Sequence, residues 1–240
     1  MAFARWCRDA GKDIQVIELK AVLWDHDGTL VDTEPYWIQA ELELARAYNV
    51  PWTYQDAIAC VGSPMTETAR RMQMSGVPLE NHVIIETLVD RVEVLMDEQG
   101  ISWLPGVQNL FNELVEAGIP CAIVSNAWRK LVAKTVAGLP EGAVKVFITG
   151  DEMLRAKPDP WSYMHAAKLL DVPVKNAIAI EDSLAGTLSA EAADMPVLVV
   201  PSVIDVPAEP GRSRAQSLEG ITLSTLREIV NGRVLEFSAT

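Results

Sequence analysis

Apolar and polar positions fall into two regimes divided near Gly100. From Pro35 to Gly100 the apolar residues recur only at helical spacing. Trp37, Ala40, Leu44, Ala45 and Tyr48 mark one amphipathic helix, which Pro51 is expected to end. Its start reads Asp32-Thr33-Glu34-Pro35, a capping side chain with proline in the first turn. Further helices are predicted over Met65–Ser75 and Leu79–Glu98, the second with a stripe of Ile85, Leu88, Val89, Val92, Leu95 and Met96. Beyond Gly100, short apolar runs alternate with helical periods. Cys121–Val124, Val144–Ile148, Ala177–Ile180 and Val197–Val200 read as strands. Helices are expected around Val107–Val115, closed by Gly118, and over Arg129–Ala137, Trp161–Leu170 and Leu184–Ala193. One further apolar run, Val22–Trp24, stands ahead of the helical block.

Strands that are apolar throughout are covered on both faces, and their alternation with helices predicts a parallel sheet. The expected architecture is α/β. A Rossmann-like parallel core with helices on both faces is built from residues 1–33 and 101–240, and an all-helical unit, residues 34–100, is inserted after the first strand. Two hinge strands are expected near Thr33–Pro35 and Gly100–Pro105. Residues 201–216, proline-rich and of mixed charge, read as an irregular surface segment, followed by a short helix around Ser224–Val230. Residues 1–18 show little periodicity.

Charge narrows the function. With 20 basic against 33 acidic residues the net charge is −13, a field that repels nucleic acid and anionic membranes. No apolar run approaches the roughly 20 residues that span a bilayer, and the first residues lack the apolar stretch of a secretory signal. Cys7, Cys60 and Cys121 are odd in number and widely spaced, as expected of reduced thiols. A cytoplasmic monomer is expected, with neither nucleic acid nor membrane as partner.

Candidate chemistry gathers where apolar runs end. Val22–Trp24 runs directly into Asp25-His26-Asp27-Gly28. Two carboxylates two residues apart at a strand end repel each other unless a cation or proton lies between them. Oxygen donors of this kind suit Mg²⁺. A plain turn with solvated aspartates is the alternative on this stretch alone. Ser125-Asn126 and Glu181-Asp182 follow two other strands in the same way, and Lys157 lies in a loop between them. Ligands of open parallel sheets bind at the carboxyl ends of the strands, so these clusters converge. Singly, Ser125 reads as a helix cap, Lys157 as a surface charge and Glu181/Asp182 as a favourable helix-start pair. Together they supply what phosphoryl transfer needs: nucleophile, proton donor, cation site and charge for the phosphate.

In this order the motifs resemble the haloacid dehalogenase superfamily, in the branch with a helical cap after the first strand. They stand here as Asp25-His26-Asp27-Gly28-Thr29-Leu30-Val31-Asp32, Ser125-Asn126, Lys157-Pro158 and Glu181-Asp182-Ser183. The resemblance implies Asp25 as nucleophile and Asp27 as general acid and base. It implies Thr29, Ser125, Asn126 and Lys157 at the phosphate, and Mg²⁺ held by Asp25, the Asp27 carbonyl, Asp182 and Glu181. The implied partner is a small phosphorylated metabolite.

Within that family Asp27 argues against a dehalogenase, because protonating a leaving group suits an alkoxide. Residues 34–100 contain no lysine, against a phosphonate hydrolase. Their four arginines face eleven acidic residues, and Gly62-Ser63-Pro64-Met65 matches only loosely the cap motif of the β-phosphoglucomutases. The expected activity is a Mg²⁺-dependent phosphatase acting through an aspartyl-phosphate on a sugar or polyol phosphate. Glu34 is either an acceptor for substrate hydroxyls or a first-turn helix acid. A phosphosugar mutase and a non-catalytic binding protein on the same fold are the alternatives.

Overall fold

The computed structural model describes residues 16–236; Cys7 and most of residues 1–18 lie outside them. Six parallel strands form one sheet in the order β3-β2-β1-β4-β5-β6. They are β1 (Ala21–Trp24), β2 (Cys121–Val124), β3 (Val144–Ile148), β4 (Ala177–Glu181), β5 (Val197–Val199) and β6 (Ser213–Arg214). From β1 the chain builds outward to β2 and β3 on one side and to β4, β5 and β6 on the other. The order therefore reverses between β1 and β4, where such folds bind ligands.

Alternate strand residues build two different cores. Val22, Trp24, Cys121, Ile123, Ile178 and Ile180 meet α5 (Val107–Glu116) and α9 (Leu223–Val230), with Trp24 stacked on Phe111 at 4.6 Å between centroids. The opposite face is alanine-rich: Ala21, Ala122, Ala177 and Ala179 let α7 (Trp161–Leu169) and α8 (Leu184–Ala192) approach closely. Buried area is the main stabilising term on both faces.

Between β1 and α5 run four helices: α1 (Glu34–Ala47), α2 (Tyr54–Ile58), α3 (Met65–Met74) and α4 (Asn81–Gln99). They share a separate apolar cluster that includes Trp37, Leu44, Trp52, Met72, Leu88 and Leu95. The chain crosses to and from this bundle along paired segments: Asp32 N–H donates to Ser102 O at 2.8 Å, and Leu104 N–H to Leu30 O at 3.0 Å. The remaining core helix, α6 (Arg129–Val136), meets α4 through Lys130 paired with Asp90 and Glu93, and Lys134 with Asp97.

Three local expectations need correction. Thr33 does not cap α1, because its hydroxyl donates to Asp27 Oδ1 instead. The helix ends at Ala47, before Pro51, where Asn49 adopts a left-handed backbone (φ 55°). Residues 201–216 are not wholly surface: they supply β6 and bury Val206, Arg212, Ser213 and Ala215. A two-residue strand shows no periodicity, and only its pairing of Ser213 with Leu198 and Arg214 with Val199 defines it. α2 was also unanticipated, although Thr53 and Asp56 form a reciprocal capping box at its start. No helix among the described residues is long and apolar enough to cross a membrane.

Candidate active site

The ends of β1, β2 and β4 are kept in register past the last strand residue, which is what aims the polar clusters. Asp25 N–H donates to Ile180 O (3.0 Å) and Ser125 N–H to Ile148 O (2.9 Å). Asp25, Asp27, Ser125, Asn126, Lys157 and Asp182 line one pocket of about 80 Å³, closed over by α1 and residues 57–68. It opens to solvent and has room for a small group beside these carboxylates.

Lys157 is the hub. Its buried Nζ donates to Asp25 Oδ1 (2.6 Å), Glu181 Oε1 (2.5 Å) and Val124 O (2.7 Å). Glu181 is fully buried and lies behind the pocket wall. It also accepts from Tyr163 Oη (2.5 Å) and Ser183 Oγ (3.1 Å), while Ser183 caps α8 by accepting from Gly186 N–H. Burial would lower the Lys157 ammonium, but Asp25 and Glu181 hold it above its usual range.

The two aspartates of the first motif differ in environment. Burial pushes the Asp25 carboxyl up to about 7 against the pull of Lys157, with Glu181 adding to the rise. Burial would raise Asp27 as well. The imidazole of His26 at 3.1 Å and hydrogen bonds from Thr33 and Trp37 hold it below the usual carboxylate value. His26 is itself buried, and its Nε2 shares a 2.8 Å hydrogen bond with Thr135 Oγ1. Asp182 is raised well above normal by burial and by the nearby Asp25 and Glu181.

Asp25, Glu181 and Asp182 each offer an oxygen within 4.8 Å of the others. Three hard donors, two of them held up by burial and mutual repulsion, fit a divalent cation. Gly28 protects that corner: at φ 77°, a Cβ there would lie 2.0 Å from Asp182 Oδ2.

Thr29 is not brought to the pocket. Its buried hydroxyl has no partner among the described residues, and the residue borders a separate cavity with Gly28, Leu104 and Gln216. Glu34 does line the active pocket, and beside it stand residues not anticipated from sequence: Glu41, Cys60, Ser63 and Thr68. Glu41 is legible in retrospect as an acid set seven residues after Glu34 on the apolar stripe of α1. Arg129 pairs with Glu152 (2.6 Å) and stays on the surface, and Trp128 packs against the helical bundle. Cys60 and Cys121 are buried free thiols whose titration burial pushes up, Cys121 to about 12.

Residues 22–200 match the sequence profile of the haloacid dehalogenase-like hydrolases. The chain belongs to that family. It is 33% identical over 190 residues to hexitol phosphatase A of Escherichia coli, covering 78% of this chain and 86% of the relative. It is 31% identical over 198 residues to protein CbbY of Rhodobacter capsulatus, covering 78% and 87%. A crystal structure of CbbY from Rhodobacter sphaeroides with xylulose-1,5-bisphosphate superposes with TM-score 0.79 at 28% identity, over 87% of this chain and 99% of that one. This haloacid dehalogenase-like chain is a phosphoric monoester hydrolase.

Proposed function

We propose that the protein is a Mg²⁺-dependent phosphatase of small sugar or polyol monophosphates, working through an aspartyl-phosphate. The observation that carries this reading is one pocket lined by Asp25, Asp27, Ser125, Asn126, Lys157 and Asp182, with Lys157 bonded to Asp25. Hexitol phosphatase A, as a relative, supports the polyol class.

In the reaction an Asp25 oxygen attacks phosphorus as the ester P–O bond breaks, and Asp27 gives the departing alkoxide its proton. Asp27 then takes a proton from water, whose oxygen attacks the aspartyl-phosphate, releasing inorganic phosphate and restoring Asp25. Asp25, the Asp27 carbonyl and Asp182 would hold Mg²⁺, with Glu181 assisting directly or through water. Bound there, the cation neutralises the converging carboxylates and the charge of the phosphoryl oxygens. Ser125 and Asn126 donate to the phosphoryl group. Lys157 fixes the nucleophile's orientation and adds positive charge.

Burial raises the Asp25 carboxyl while His26, Thr33 and Trp37 lower that of Asp27, and a cation beside Asp25 would favour its ionised, nucleophilic form. Residues 34–100 act as the cap that keeps bulk water out. Asp25→Asn should reduce Mg²⁺-dependent phosphate release at least about 10⁴-fold, in line with removing a covalent nucleophile, while leaving the circular dichroism spectrum unchanged. Near-normal turnover by that variant rules out the nucleophile. A mutase would need a cation for a second phosphate, and among the described residues Lys157 is the one basic side chain lining the pocket.

A further inference from the structure

The chemistry above uses the strand-end half of the pocket and leaves the α1 half without a task. Glu34, Trp37, Ile38 and Glu41 face it at spacing i, i+3, i+4 and i+7, one side of a helix. Glu41 is buried at 5% exposure, and its Oε2 accepts from Trp52 Nε1 at 3.0 Å. Its other oxygen has no hydrogen-bond partner among the described residues. Among the described residues no cation answers these two acids. Lys157 gives its hydrogen bonds to Asp25, Glu181 and Val124 O, and Arg71, on the cap, bonds Glu67 and Ala59 O. In keeping with that, burial pushes Glu34 up to about 8 and Glu41 up to about 7.

We propose that Glu41, assisted by Glu34, is the specificity-determining acceptor of this pocket: it receives hydroxyl donors at the far end of the substrate and excludes substrates with a second anionic group. This deepens the phosphatase reading and rests on it. A buried acceptor with one open lone-pair position gains when a hydroxyl fills it and loses when it stays bare. Above about pH 8, where both acids are ionised, a second phosphate or a carboxylate in the same place would face two buried carboxylates with no compensating cation, and such like-charge placement is how sites reject wrong ligands. The class is therefore a hydroxyl-bearing monophosphate, distinct from the bisphosphate bound in the CbbY crystal structure.

The test pairs binding with turnover. At pH 8.5, Asp25→Asn protein with Mg²⁺ is titrated with sorbitol 6-phosphate, 2-phosphoglycolate and fructose 1,6-bisphosphate. The hexitol phosphate should bind at least about 30-fold more tightly than either, the scale of one charge-assisted hydrogen bond gained or lost. In the otherwise native enzyme, Glu41→Leu should cut kcat/KM for sorbitol 6-phosphate, relative to p-nitrophenyl phosphate, by about 10- to 100-fold. Glu41→Gln keeps the Trp52 bond through its carbonyl and turns an amide N–H, from which a substrate hydroxyl can accept, toward the pocket while dropping the charge; it should hold that ratio within about threefold and relax the bar against 2-phosphoglycolate about tenfold. Equal affinity for the three probes, or a ratio unmoved by Leu, overturns the assignment. So does a Gln variant that discriminates as the native protein does. Should the binding preference stand while p-nitrophenyl phosphate is never hydrolysed, the phosphatase reading fails and the Glu41 assignment survives.

Discussion

Lys157 shows how much one side chain can hold. It is 4% exposed and satisfies two buried carboxylates at once. Lys157→Ala would leave Asp25 and Glu181 facing each other without a counter-charge. Removing one partner of a buried ion pair costs about 3–5 kcal/mol, so urea denaturation at pH 7.5 should show a loss of that size. Glu41 makes the opposite case. Its folded-state value of about 7 lies above the ordinary 4.5, so its contribution is fully present below about pH 4.5 and is lost as pH rises through about 7. Glu41→Gln should therefore match the native protein near pH 5 and exceed it by up to about 3 kcal/mol near pH 8, read from denaturation midpoints. Asp25, Asp27, Ser125, Lys157 and Asp182 were all legible in sequence because each directly follows an apolar run or sits in a recognisable motif. Glu41 was not, since a single acid on a helix stripe looks like any solvated residue until the partner wall is in place.

At the scale of elements, the tight packing of α8 on β4 positions the hub. Gly186 lies in the first turn of α8, and a Cβ there would come within 1.9–2.1 Å of the Glu181 carboxylate. Gly186→Ala must displace Glu181 and with it Lys157. A shift of about 1 Å in a catalytic group costs on the order of 10²-fold, and kcat should fall by about that factor with a smaller change in KM. The long elements were readable because their apolar period repeats several times. The short ones were not. α2 depends on a capping box, and β6 on a partner strand far away in sequence. Thr33 misled for a different reason: the residue type that caps helices is also a good donor, and Asp27 outcompeted the helix for it.

For the whole molecule, the dominant feature is an acidic site inside an acidic protein of net charge −13. A divalent cation binding the folded state alone should stabilise it by mass action, by about 2.7 kcal/mol at a hundredfold excess over Kd, and so raise the melting midpoint. Protons compete for Asp25 below about pH 7, so the Mg²⁺-induced rise in midpoint should be larger at pH 8 than at pH 6. A rise that is equal at both values would place the cation elsewhere. The parallel sheet followed from strand–helix alternation, whereas its strand order and how closely the bundle closes over the strand ends depend on contacts such as Lys130 with Glu93 that no local pattern encodes.

The paired crossings at Leu30–Asp32 and Ser102–Leu104 have a consequence for how such a protein diversifies. Because departure and return lie side by side, the sheet experiences everything between them as one closed loop, whatever its size. Changes of length between the two crossings should therefore leave the strand tips, and the groups they aim, where they are.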